Sequence, residues 1–155
     1  MFPFDRFVEA VDGWARANAA RDVLIQIGSG NYIPASARWL RVMPVSEFDA
    51  AIRDCNLVVA HLGMGSLIAA LQAEKPLIML PRHRSLGEHT SDHQIHGTKW
   101  LRSVPGVWIA DEISDLHRLL DAFAAGQIVR SPQRAARYAS AELLDGVSKF
   151  IHRAS

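Results

Sequence analysis

Between positions 61 and 94 the chain gathers the residue types that handle phosphate and sugar. His61-Leu62-Gly63-Met64-Gly65-Ser66 joins two glycines to an imidazole and a hydroxyl. Glycine lets the backbone turn tightly and approach a ligand closely. The first amides of a helix have no intrahelical acceptor and lie at the positive end of its dipole. A turn of this kind can therefore hold a diphosphate, with Ser66 adding a hydroxyl and His61 an imidazole N–H. The plain alternative is a strand-to-helix turn in which Ser66 caps the helix and His61 packs. The turn is not the G-x-x-x-x-G-K-[ST] loop, and it lacks the third glycine of the dinucleotide fingerprint.

A polar cluster follows. Arg82, His83 and Arg84 come directly after Pro81, then Glu88, His89, Asp92, His93 and Gln94. Arg82 or Arg84 could neutralise phosphate. Asp92 and Gln94 could divide the hydroxyls of a sugar between acceptor and donor groups. The alternative is a solvated loop with Asp92 as a helix cap. His89 and His93 are spaced to chelate a metal only on one helix. The expected helix start falls between them and no H-E-x-x-H occurs, so no metal site is expected. No G-x-S-x-G elbow is present for nucleophilic catalysis.

The elements that must position these groups alternate. Phe4, Phe7, Val8, Val11 and Trp14 follow helical spacing, predicting a helix over 5–19. Short strands are expected at 23–27, ending at Gly28-Ser29-Gly30, and at 39–42, with a helix over 46–54 capped by Ser46. Buried strands are expected at 57–60 and 77–80, separated by a helix that Gly65 or Ser66 opens and that runs to about 73. Further helices are expected over 91–101, 114–123 and about 132–152, with a strand at 107–109. Apolar strands alternating with helices predict a doubly wound α/β fold with a parallel sheet covered on both faces. In such sheets ligands bind beyond the carboxyl ends of the strands, the edge shared by the turn at 61–66 and the cluster at 81–94.

Length and composition narrow the function. The 155 residues favour one domain spanning the chain. Seventeen Lys and Arg against sixteen Asp and Glu leave a formal charge of +1, which argues against a dedicated nucleic-acid binder. Cys55 is the sole cysteine, so no intrachain disulfide forms, and its place beside an apolar run reads as packing. No apolar run approaches the ~20 residues of a membrane span, and no signal-peptide pattern opens the chain. A cytoplasmic location is expected.

Taken in order, the motifs resemble the C-terminal, nucleotide-sugar-binding domain of glycosyltransferase family 28, and above all its small single-domain members. These serve dolichol-linked chitobiose synthesis in eukaryotes and exopolysaccharide or capsule synthesis in bacteria. The resemblance rests on His61 to Ser66, Lys75-Pro76-Leu77-Ile78, Pro81-Arg82, Glu88-His89 with Asp92-His93-Gln94, and the early Pro3-Phe4-Asp5-Arg6 and Val11-Asp12. It implies a Rossmann-like domain forming one half of a GT-B architecture. It implies UDP-sugar contacts from His61, Gly63, Gly65 and Ser66 and sugar contacts from Asp92 and Gln94. Arg82 and His89 are further donor-site candidates. No bound metal or cofactor is implied. His89 or His93 could assist proton movement, but neither is assigned as the base.

A GT-B enzyme needs two such domains. The resemblance therefore implies a membrane-anchored partner subunit that binds a lipid-linked saccharide acceptor and recruits this chain to the inner face of the cytoplasmic membrane. The expected activity is transfer of a hexose from a UDP-sugar. The C-terminal helix at about 132–152 is a candidate interface with that partner; folding back on its own core is the alternative. Three departures stand out. Ala69 replaces a glutamate that holds ribose in family members. Leu62 and Met64 replace small residues of the turn. The strand that usually opens the sheet is lacking. The first and last favour a rival reading, a non-catalytic stabilising or stimulatory subunit. An unrelated nucleotide-binding α/β protein is a further alternative.

Overall fold

The computed structural model describes residues 2–88 and 101–128. The order is α1 (Asp5–Ala17), β1 (Leu24–Gln26), β2 (Arg38–Leu40), α2 (Val45–Asp54), β3 (Val58–His61), α3 (Met64–Gln72), β4 (Leu77–Leu80), a 3-10 turn (Arg84–Leu86), β5 (Val107–Ile109) and α4 (Ile113–Ala124). The expectations at 91–101 and 132–152 lie outside the described residues.

β4 explains the layering. Leu77, Ile78, Met79 and Leu80 are all fully buried, the mark of a strand covered on both faces. Ile78 and Leu80 join one apolar cluster with Val8, Val11 and Trp14 of α1 and Leu116, Leu119 and Leu120 of α4. Leu77 and Met79 join another with Ile52 of α2 and Leu67 and Ala70 of α3. Side chains alternate across a strand, so one four-residue segment anchors both layers. Each fully buried aliphatic side chain of this kind stabilises the fold by about 1.5–3 kcal/mol. The helices supply matching stripes: in α1, Val8, Val11 and Ala15 recur at three- and four-residue spacing. The Trp14 indole donates to the Asp121 carboxylate at 2.8 Å, tying α1 to α4.

Among the described residues, all strand pairs are parallel. β1 pairs with β2 (Ile25 opposite Trp39), β3 with β4 (Ala60 opposite Met79), and β4 with β5 (Ile78 opposite Trp108). The α/β, Rossmann-like arrangement read from the sequence is present, with one difference. Among the described residues the strands form two sheets, β1-β2 and β3-β4-β5, rather than one. The sheets share a core, because Ile25 and Ile27 lie in the same cluster as Ile78 and Leu80.

Local corrections concern caps and ends. α2 begins at Val45 after Pro44, and Ser46 makes no capping bond. α3 begins at Met64 with Gly63 at the cap position, one residue before the earlier of the two expected starts, so Ser66 lies inside the first turn and does not cap. In both cases the preceding extended residue sets the start. β2 is centred one to two residues earlier than expected because its register is dictated by β1.

Candidate functional site

The parallel strands bring the ends of β1, β3, β4 and β5 to one rim. At the end of β3, the Gly63 amide bonds back to the His61 carbonyl at 2.7 Å, and the chain then enters α3. The first helical bond runs from the Leu67 amide to the Gly63 carbonyl, leaving the amides of Met64, Gly65 and Ser66 at the helix mouth. The first turn of α3 carries no acidic side chain and no side-chain cap competes for those amides.

The two glycines do different work. A Cβ at Gly63 would lie 2.6 Å from His61 Nε2, so the imidazole lies directly against the turn and only glycine admits it there. A Cβ at Gly65 would meet nothing within 4 Å, so this backbone faces open space. Met64 packs against the apolar cluster beneath the sheet rather than across the turn. Imidazole, helix-start amides and the Ser66 hydroxyl thus belong to one short segment with room above it, a suitable shape for an anion.

The loop at 81–88 is built otherwise. Glu88, buried, receives a fork of two bonds from Arg6, Nε to Oε1 and NH2 to Oε2, both 2.9 Å. The His83 amide adds a third bond to Oε2 at 2.9 Å. Burial opposes ionisation of Glu88, but the Arg6 bonds, the His83 amide and the nearby positive charge outweigh it and hold the carboxyl below its ordinary range. Arg82 is also buried. Its NH1 donates to the carbonyls of Phe2, Pro3 and Glu88 at 2.8, 3.2 and 3.0 Å. Its guanidinium lies 4.6 Å from the centre of the Phe4 ring. Burial draws the Arg82 pKa down, with Glu88 opposing.

A third rim segment, the loop after β1, is held by α1. Asp5 accepts the Asn31 and Tyr32 amides. Asp12, buried, accepts the Tyr32 hydroxyl and the amides of Ala35, Ser36 and Ala37 at 2.8–3.0 Å. Burial raises the Asp12 pKa, and those three amides and the hydroxyl more than offset the rise. The loop's backbone donors are therefore satisfied by a carboxylate from a helix more than twenty residues away.

The structure brings His61, Gly63, Gly65 and Ser66 together at the mouth of α3. It places Arg82 on the same rim, with its NH1 engaged by the N-terminal corner and the Glu88 carbonyl. His89, Asp92, His93 and Gln94 lie outside the described residues. The roles of Arg6, Glu88, Asp5 and Asp12 as clamps were not read from sequence. Their partners are 82 residues apart for Arg6 and Glu88 and 20–25 apart for Asp12, beyond any local periodicity. A concavity of about 670 Å³ also opens on the rim, lined by Arg6, Pro81, His83, Asp111 and Ser114 among others. It lies beyond β4 and β5, and no residue of the glycine turn lines it. Cys55 packs partly against the lower cluster, and burial pushes its thiol upward, as befits a packing residue.

The model of the glycosyltransferase family 28 C-terminal domain matches residues 3–122, from the Arg82-held corner to α4. The chain belongs to that family. The family 28 domain is also similar to the crystal structure of the glycosyltransferase SnogD from Streptomyces nogalater, at 19% identity and a TM-score of 0.47. The similarity covers 94% of this chain and 39% of that one. No curated protein matches the domain. Among its described residues, no helix is long and apolar enough to cross a membrane.

Proposed function

We propose that this family 28 domain binds the UDP-sugar donor for a glycosyltransferase whose acceptor is held by a second, membrane-anchored polypeptide. One observation carries the donor reading: the His61 imidazole is seated against Gly63 at the open start of α3. The diphosphate would lie on the amides of Met64, Gly65 and Ser66, with His61 and the Ser66 hydroxyl donating to its oxygens. As an acceptor hydroxyl attacks the anomeric carbon, charge grows on the departing UDP. Fixed dipoles and donors aimed at that charge stabilise the transition state without reorganising. No metal need take part in this scheme.

The loop that Glu88 and Arg82 anchor leads directly to His89, Asp92, His93 and Gln94. Asp92 and Gln94 would meet the sugar, and His89 would lie beside it. The proposed reaction moves a hexose onto a lipid-linked saccharide in polysaccharide synthesis, at the inner face of the cytoplasmic membrane. Arg82 acts on this reading by holding the rim, since its NH1 is spent on three carbonyls.

Titration calorimetry of the full chain with UDP tests the proposal. UDP binding that His61→Ala and Gly65→Asp both weaken, with folding unchanged, is expected. Absence of UDP binding, alone and with the partner present, would overturn it. The rival reading, a stabilising subunit without donor binding, is favoured by Ala69 in the middle of α3, where family resemblance implies a ribose-holding glutamate. Unaltered transfer by the assembled enzyme after His61→Ala would establish that rival.

A further inference from the structure

We propose that the concavity beyond β4 and β5 is a second ligand site on the rim, and that it takes the terminal sugar of the acceptor. Its walls are the chains that leave two neighbouring strands. The Ala110 amide bonds to the Met79 carbonyl at 2.9 Å, so β4 and β5 stay paired to their ends and part only above that bond. Pro81 to Leu86 then contributes one wall, and Asp111 to Ser114, entering α4, the other. Arg6 of α1 lines the concavity as well.

The two walls offer complementary groups. Arg6 is fixed by bonds from Nε and NH2 to Glu88 and from NH2 to the Pro81 carbonyl, which leaves NH1 without a hydrogen bond among the described residues. The His83 amide is spent on Glu88, but its imidazole makes no hydrogen bond among the described residues. On the α4 side, Asp111 is already paired with Arg102. The Glu112 carboxylate is exposed and makes no hydrogen bond among the described residues. Ser114 is exposed and caps nothing. One wall therefore donates and the other chiefly accepts, through groups the fold does not consume. Leu86, 58% exposed, and Ile113 add apolar surface.

These features select the ligand. Carboxylates at the start of α4 oppose a phosphate or diphosphate. Among the described residues, no three His, Cys, Asp or Glu side chains gather as a metal site. Donors and acceptors beside an apolar face suit a sugar ring, whose hydroxyls both give and accept hydrogen bonds and whose C–H faces are apolar. The volume of about 670 Å³ is that of a small-ligand site. Neighbouring strands lie about 4.8 Å apart, so β4 and β5 stand about 5 and 10 Å from β3, whose end carries the glycine turn. With a diphosphate on that turn and the donor hexose next to it, the concavity is one ring farther along the rim. An acceptor sugar must lie there for its hydroxyl to reach the anomeric carbon, while the partner holds the lipid. The assignment to the acceptor rests on the donor reading of the α3 turn; the saccharide site itself does not.

The test is amide chemical-shift mapping by NMR on the full chain, titrated with the methyl glycosides of glucose, galactose and N-acetylglucosamine, with and without saturating UDP. At least one glycoside should shift the His83, Ile113 and Ser114 amides saturably, and equally with UDP present. Ser114→Trp should abolish that response and Glu112→Gln should weaken it at least about tenfold, with the UDP response at Met64 to Ser66 retained in both. No saturable shift from any glycoside, or shifts at these amides from inorganic phosphate instead, would overturn the site. Displacement of the glycoside by UDP-N-acetylglucosamine but not by UDP would overturn the acceptor assignment and give the concavity to the donor's own sugar. A glycoside response without any UDP response would overturn the donor reading, and with it the acceptor assignment, while upholding the saccharide site.

Discussion

The rim has two regions of opposite construction. At 81–88, buried charges bind the backbone from several sides: Arg6 forks onto Glu88, and Arg82 gathers three carbonyls. At 61–66, no side chain caps the helix, and the backbone at Gly65 faces open space. The first region consumes its polar groups in holding itself; in the second, the first amides of α3 have no intrahelical acceptor. Charge near a presumed phosphate is therefore a poor guide by itself. Arg82 has the charge, but its NH1 is engaged, whereas the start of α3 offers amides with no intrahelical acceptor.

Breaking the clamped region should cost the most. Glu88→Ala leaves the Arg6 guanidinium, only a quarter exposed, without its carboxylate, and should destabilise the fold by about 3 kcal/mol in urea unfolding. The same carboxylate sets part of the acid limit. Its folded pKa is lowered, so its stabilising contribution is complete above about pH 4.3 and lost as pH falls through the folded value. Stability measured from pH 7 to 3 should therefore fall less steeply in Glu88→Ala than in the parent chain, with Asp12 and Asp115, both also lowered, contributing to the slope that remains.

Gly65→Asp sharpens the contrast from the other side. The new carboxylate has room and sits at the positive end of α3, so the melting temperature should hold or rise. UDP affinity in calorimetry should nevertheless fall at least about thirtyfold, roughly 2 kcal/mol, because that carboxylate meets the diphosphate. An equal loss of stability and affinity would contradict the open-turn reading. His61→Ala should weaken UDP by about tenfold, and Gly63→Ala should approach the same loss by displacing the imidazole. Ser66→Ala should have the smallest effect, about threefold in affinity with unchanged stability, because the hydroxyl caps nothing.

Much of the fold could be read in advance. The apolar run at 77–80 and the short run at 107–109 were placed to the residue, because short apolar runs bounded by proline, glycine or polar residues are too short for a helix. Helix starts were less legible. Ser46 and Ser66 are good capping residues by type, yet Pro44 and Gly63 hold the cap positions, since the preceding strand or loop decides where the helix can begin. The glycine turn was legible as a strand-to-helix junction because its backbone geometry is local. Residue type offered Arg82 or Arg84 as a phosphate partner; the bonds from Arg82 NH1 to Phe2, Pro3 and Glu88 depend on segments that meet only after folding.

Residue type and spacing alone determined the alternating α/β pattern, the common rim of the strand ends and the turn whose amides could face an anion, because each arises from interactions within a few residues along the chain. Tertiary structure decided which charges became clamps, that the His61 ring lies on Gly63, and that the described strands divide into two sheets. Those outcomes depend on burial and on partners up to 82 residues away, and the energy of a buried charge is set by the neighbours that replace its water.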